Sequence, residues 1–152
     1  MKFLLTFFSL LISSYGSFSQ SLEGEWKGSF KYYERIKGDP LGYVSLVDET
    51  PFRLKFILNS DSSYMVYSYT PWPNPDSRDT IVNAVLFKKL TNDSIYLQEI
   101  RTIKPENDKS DCWQVMRLKL IKRKRTDALE GTWTSLGRCE LAGEMILSRK
   151  KK

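Results

Sequence analysis

The sequence predicts an all-β fold, a single antiparallel up-and-down meander of about eight strands closed into a barrel. Three observations point there. Apolar and polar residues alternate with period two in run after run, short Asn/Asp/Ser clusters separate the runs, and no long amphipathic helix interrupts them. A sheet of that many strands must curl, and closure removes its unpaired edges. A two-sheet β-sandwich is the alternative arrangement.

Residues 1–20 precede the meander and read as a secretory signal peptide. Met1-Lys2 carries a positive charge, Phe3 to Ile12 is apolar apart from Thr6 and Ser9, and Ser17 and Ser19 suit cleavage before Gln20. The apolar run is about half the roughly 20 residues that a membrane span needs. No Cys follows it to carry a lipid anchor. Residues 21–152 are then one domain, expected in the periplasm or outside the cell, with no membrane span.

Strands are expected over 24–34, 43–48, 52–58, 63–70, 80–90, 94–103, 112–124, 129–136 and 143–149. In Trp26-Lys27-Gly28-Ser29-Phe30-Lys31-Tyr32 the even positions are apolar or Gly, which gives one face to a core and one to water. Phe52 to Leu58 and Val115 to Leu120 repeat the pattern. Asn59-Ser60-Asp61-Ser62 and Thr91-Asn92-Asp93-Ser94 mark hairpins, because such side chains bond their own backbone and tolerate left-handed geometry. Tyr64 to Tyr67, and Ile81-Val82 with Ala84 to Phe87, are apolar on both faces. Either their outer faces are covered, by a loop or by a homo-oligomer contact through strands 63–70 and 80–90, or the barrel interior has unusually apolar walls. Longer loops fall at Ile36–Gly42, Pro71–Asp79 and Lys104–Asp111. The middle one sets Trp72 among three prolines, either as a functional group on a rigid loop or as a lid.

Cys112 and Cys139 are the two cysteines, and in an oxidising compartment they are expected to form a disulfide; two buried free thiols are the alternative. The net charge of +6 gathers in Lys122–Arg125 and Arg149–Lys152. Basic runs can bind nucleic acid, but one ends a strand and the other ends the chain. A solvated edge and a solubilising tail are the expectation, with no nucleic-acid partner.

The chain has no His, which removes His-based general bases, His-assisted nucleophiles and His metal ligands. No phosphate loop, nucleophile elbow or Ca²⁺ loop is present in the sequence. Neighbouring carboxylates such as Asp48-Glu49 point to opposite faces of a strand and do not share a site. The expectation is a protein that is not an enzyme and carries no catalytic residue, cofactor or metal.

Leu22-Glu23-Gly24-Glu25-Trp26 opens the meander with a Gly-x-Trp, which resembles the lipocalin and calycin group. In that group the Trp closes one barrel end against a basic side chain from near the C-terminus. The resemblance assigns that part to Trp26, with Arg149 or Arg138 as its partner. Leu129-Glu130-Gly131-Thr132-Trp133 offers a second copy centred on Trp133. The leader and the closing segment Gly143–Lys150 resemble those of small exported lipocalin-like proteins of Bacteroidetes. A barrel of about eight strands is either filled by side chains or holds one small ligand. The resemblance implies a small hydrophobic or amphipathic ligand inside the barrel. Phe30, Tyr32, Phe52, Leu54, Phe56, Tyr64 and Leu118 would line it, with Trp72 nearby. The alternative is a non-enzymatic envelope or interaction module with a filled core.

Overall fold

The computed structural model describes residues 21–35, 44–71, 79–105, 112–137, 139 and 141–151. The expected leader 1–20, Trp72, Arg138 and most of the three long loops lie outside the described residues. Eight strands follow in chain order: β1 (Gly24–Arg35), β2 (Val44–Leu58), β3 (Tyr64–Pro71), β4 (Thr80–Lys89), β5 (Ser94–Lys104), β6 (Cys112–Lys122), β7 (Thr126–Gly137) and β8 (Ala142–Lys150). Each pairs antiparallel with the next, and β8 returns to pair with β1, with Gly28 opposite Leu147. The barrel is closed and up-and-down, as the alternation predicts.

The strands expected at 43–48 and 52–58 are one strand, β2, running through Pro51. Proline cannot donate to a ladder and is tolerated where only one side of a strand is paired. That condition holds here: Pro51 pairs with Ser29 of β1, and pairing with β3 begins at Arg53. The start of β7 also lies earlier than expected, because Asp127 sits in the strand opposite Arg149 of β8.

The two ends of the barrel differ. β2/β3, β4/β5 and β6/β7 are joined at one end by tight turns, such as the one in which Asn59 N–H donates to the Ser63 carbonyl at 2.9 Å. The remaining four connections leave from the opposite end, here called the loop end. The alternating positions of the strands meet in the middle. Trp26, Leu54, Leu97, Met116, Leu129, Met145 and Leu147 have no exposed surface. Aromatic rings meet edge to face, Phe30 on Phe52 at 5.6 Å and on Trp133 at 4.9 Å. Such pairs add about 0.5–1.5 kcal/mol each beyond their buried area.

On the outside, Met65 of β3 and Leu86 of β4 are about half exposed, and Tyr67 stands opposite Ala84. The strands that read as apolar on both faces do place their outer residues side by side. The two basic runs also come together, since Thr126 pairs with Lys150 and Lys151 N–H donates to the Arg125 carbonyl.

Cys112 and Cys139 are bridged, with Cα atoms 5.7 Å apart. The bridge joins the start of β6 to the segment after β7, closing a sequence separation of 27 residues. By the chain-entropy relation this contributes about 3.5 kcal/mol. Reduction, or the Cys112→Ser/Cys139→Ser double variant, is therefore expected to lower unfolding stability by about that amount in a urea titration. A change below roughly 0.5 kcal/mol would show that the bridge constrains nothing the β6–β7 ladder does not already hold.

Candidate functional site

The turn end is closed by the residues that the Gly-x-Trp resemblance singles out. Trp26 is fully buried, and its indole N–H donates to the Leu22 carbonyl at 2.9 Å. The Arg149 guanidinium lies over its ring, 4.3 Å from the centroid. The same guanidinium donates to the carbonyls of Glu23 (2.5 Å) and Ser21 (3.1 Å) and to Asp127 Oδ2 (3.4 Å). Arg149 thus ties the N-terminal segment to the last two strands. Trp133 is buried at the other end of the core, its indole N–H bonded to the Lys31 carbonyl at 2.9 Å.

The expected lining residues fill the middle of the barrel. Phe30, Phe52, Leu54, Phe56 and Leu118 are buried in one core cluster, with Tyr32 and Tyr64 packed against it. Tyr64 also borders a hollow of about 420 Å³ at the turn end, together with Leu22, Phe87, Ile95 and Leu120. Its ring stands edge-on to Phe56 (6.0 Å) and Phe87 (5.5 Å), and its hydroxyl accepts from Leu22 N–H at 3.0 Å.

The loop end is built differently. In β3 to β6 the inward positions change from apolar to polar as the strands approach it. Val66 is followed by Ser68, Val85 is preceded by Asn83, Leu97 is followed by Glu99, and Met116 is preceded by Gln114. Ser68, Asn83 and Glu99 are all buried, Glu99 to within 2% of complete. A break in the β4–β5 register adds a fifth residue. Val85 pairs with Glu99 and Ala84 with Arg101, so Ile100 bulges out and Thr102, not Arg101, shares the inward side with Glu99.

These side chains surround a pocket of about 170 Å³, lined by Asn83, Glu99, Thr102 and Gln114 with Thr70, Ile81, Cys112 and Trp113. Glu99 is held from three strands. The Ser68 hydroxyl donates to Oε1 at 2.5 Å, the Gln114 backbone N–H donates to Oε2 at 2.9 Å, and the Asn83 side chain also hydrogen-bonds the carboxyl. Burial pushes its carboxyl above the usual glutamate range, against the opposing pull of those hydrogen bonds. Three polar atoms around the pocket, Asn83 Oδ1, Thr102 Oγ1 and Gln114 Oε1, are buried without a hydrogen-bond partner. Native interiors satisfy nearly all such atoms, so three orphans in one pocket single out the loop end as the candidate site among the described residues.

The raised carboxyl has a consequence for stability. Folded, Glu99 holds its proton more tightly than unfolded, so its contribution is complete below the ordinary value of 4.5 and is lost as pH rises through the folded value. Glu99→Gln removes that dependence. Its stability relative to wild type is expected to improve as pH is raised from about 5 to about 8. Thermal melts of both proteins across that range check it; parallel curves would show that Glu99 is not desolvated.

Among the described residues, no group of three or more His, Cys, Asp and Glu could hold a metal ion. Nor is any helix there long and apolar enough to cross a membrane. The closed eight-strand meander, with one end capped by Trp26 and Arg149, is compatible with the lipocalin-like class of barrels. No protein-family model, curated protein or solved structure matches the chain significantly.

Proposed function

We propose that this protein is an exported, lipocalin-like binding protein that holds a small amphipathic molecule at the loop end of its barrel. The observation that supports the reading best is the buried Glu99 carboxyl with three unpaired acceptors around it. A barrel that served only as a scaffold would gain stability from apolar residues at these positions, as it has them in the middle. Proteins keep unbalanced polar groups in dry places chiefly where function needs them. Ile81 and Trp113 beside the polar walls supply surface for the apolar part of a ligand.

The filled middle of the barrel, with the rings of Phe30, Phe52 and Trp133 in contact, directs the ligand to an end. Export agrees with the disulfide, since such bridges persist in oxidising compartments. Binding without catalysis is the role proposed. The apolar outer face of β3 and β4 suits contact with a second copy of the chain; a sizing column that shows only monomer removes that element.

The test is native mass spectrometry of protein purified without detergent from the compartment to which it is exported. The expected spectrum contains a retained small molecule that is lost in Glu99→Gln. A ligand retained equally by wild type and Glu99→Gln would move the site to the turn-end hollow beside Tyr64 and Phe87. Ligand-free protein in both, with no response of the loop end to any probe, would favour the interaction module with a filled core.

A further inference from the structure

The loop-end pocket is unusual in what it offers a ligand. Its polar walls present oxygen atoms. Asn83 spends its side-chain hydrogen bond to the carboxyl on Glu99 and leaves Oδ1 unpaired, and Gln114 Oε1 and Thr102 Oγ1 are unpaired as well. The Ser68 hydroxyl and the Gln114 backbone N–H already donate to Glu99. Among the described residues no Lys or Arg lines the pocket. A group placed there meets one carboxylate and several acceptors, with no cation among the described lining residues to balance them.

We propose that the pocket is a site for a small primary ammonium ion, whose N–H groups are shared between Glu99 and the oxygens of Asn83, Thr102 and Gln114. This rests on the reading that the loop end is the ligand site, and it names the chemistry of the head group. An ammonium brings three donors and no acceptor, which matches the three orphan atoms, and a charge that matches Glu99. A neutral hydroxyl brings one donor and leaves the carboxylate unbalanced. An anion meets only like charge and lone pairs. A hard divalent ion takes six or more oxygen ligands, usually several of them carboxylates, and this pocket has one. A volume of about 170 Å³ holds an ammonium head with a short chain, with Ile81 and Trp113 beside it.

The charge of the pocket is linked to pH. The groups that meet Glu99 from β3, β4 and β6 are Ser68, Asn83 and Gln114, none of which titrates in the neutral range. An ammonium binds the ionised carboxylate, so its affinity rises with pH as Glu99 loses its proton. An alkylammonium keeps its own charge to about pH 10, as lysine does.

The experiment is an NMR titration of ¹⁵N-labelled protein with n-butylammonium chloride, n-butanol and sodium butyrate, at about pH 5 and about pH 8. Butylammonium is expected to shift the amides of Asn83, Glu99 and Gln114, to bind at least about tenfold more tightly than butanol, and to tighten at the higher pH. Butyrate is expected to leave those amides unmoved. Glu99→Gln, checked for folding by its own spectrum, is expected to weaken butylammonium by at least about tenfold. Butanol binding as tightly as butylammonium, or Glu99→Gln binding butylammonium like wild type, overturns the ammonium assignment while the loop-end site stands. Failure of all three probes to move the loop-end amides overturns both.

Discussion

Gly28→Ala is expected to cost at least about 4 kcal/mol of unfolding stability, enough to leave the barrel barely folded. Gly28 lies on β1 where the sheet closes on β8, between the inward-facing Trp26 and Phe30. A Cβ built on it would sit 1.9 Å from the Ile146 carbonyl oxygen and 2.9 Å from the Leu147 Cα. Both are backbone atoms, so no side chain can swing aside. The strands themselves would have to part, and with them the hydrogen bonds that close the barrel. Gly131 stands in the same relation to β6, with a Cβ contact of 2.0 Å to the Arg117 carbonyl oxygen, so the close approach recurs beside the second Gly-x-Trp. Glycines at such bends let a small barrel coil tightly around large inward rings. Urea unfolding of Gly28→Ala measures the effect. Ser29→Ala is the control; it removes only an exposed hydrogen bond to Glu49 and is expected to stay within about 0.5 kcal/mol of wild type. Gly28→Ala behaving like that control would contradict the tight β1–β8 closure.

Arg149→Ala is the second large effect, expected at about 3–5 kcal/mol. The side chain covers the Trp26 ring, donates to two N-terminal carbonyls and pairs with Asp127, a carboxylate 1% exposed. Truncation uncovers the indole, frees the N-terminal segment from the end of the barrel, and takes from Asp127 one of its cations, with Lys151 still 3.2 Å from the other oxygen. A buried charge that loses a cation is far more costly than a lost surface pair. Arg149→Lys is expected to recover less than half of the loss, since an ammonium does not stack on the ring as a plane and is too compact to span the separated acceptors that the guanidinium fork reaches. A double-mutant cycle with Asp127→Asn is expected to give a coupling of about 1–3 kcal/mol. A coupling near zero would mean that Arg149 acts through Trp26 alone.

Much of this architecture was legible in the sequence because a strand announces its faces by alternation. Phe30, Phe52, Leu54, Phe56 and Leu118 fall on the inward side as their even positions require. Cysteine parity identified the bridge between Cys112 and Cys139. Pro51 misled, since its exclusion from strands holds only where both sides are paired, and pairing is a tertiary fact. The early start of β7 has a related cause: Asp127 is held in the strand by partners distant in sequence, among them Arg149 and Lys151.

The candidate site was harder to see than the fold. Its signal was a polar residue where alternation demands an apolar one, and it was spread over four strands. Glu99 follows Ile95 and Leu97 in phase, Ser68 follows Val66, Asn83 precedes Val85, and Gln114 precedes Met116. Taken singly, each is an ordinary imperfection of a strand. Only the pairing register of β3 to β6 sets them side by side. Thr102 carried no such signal, because the bulge at Ile100 moves it to the inward side.

The measurement that tests the account most directly is a ¹³C NMR titration of the Glu99 side-chain carboxyl, in the free protein and in saturating n-butylammonium. The account predicts a midpoint above the ordinary 4.5 in the free protein and a clear fall when the ammonium is bound. A midpoint at the ordinary value, unmoved by butylammonium, would contradict it.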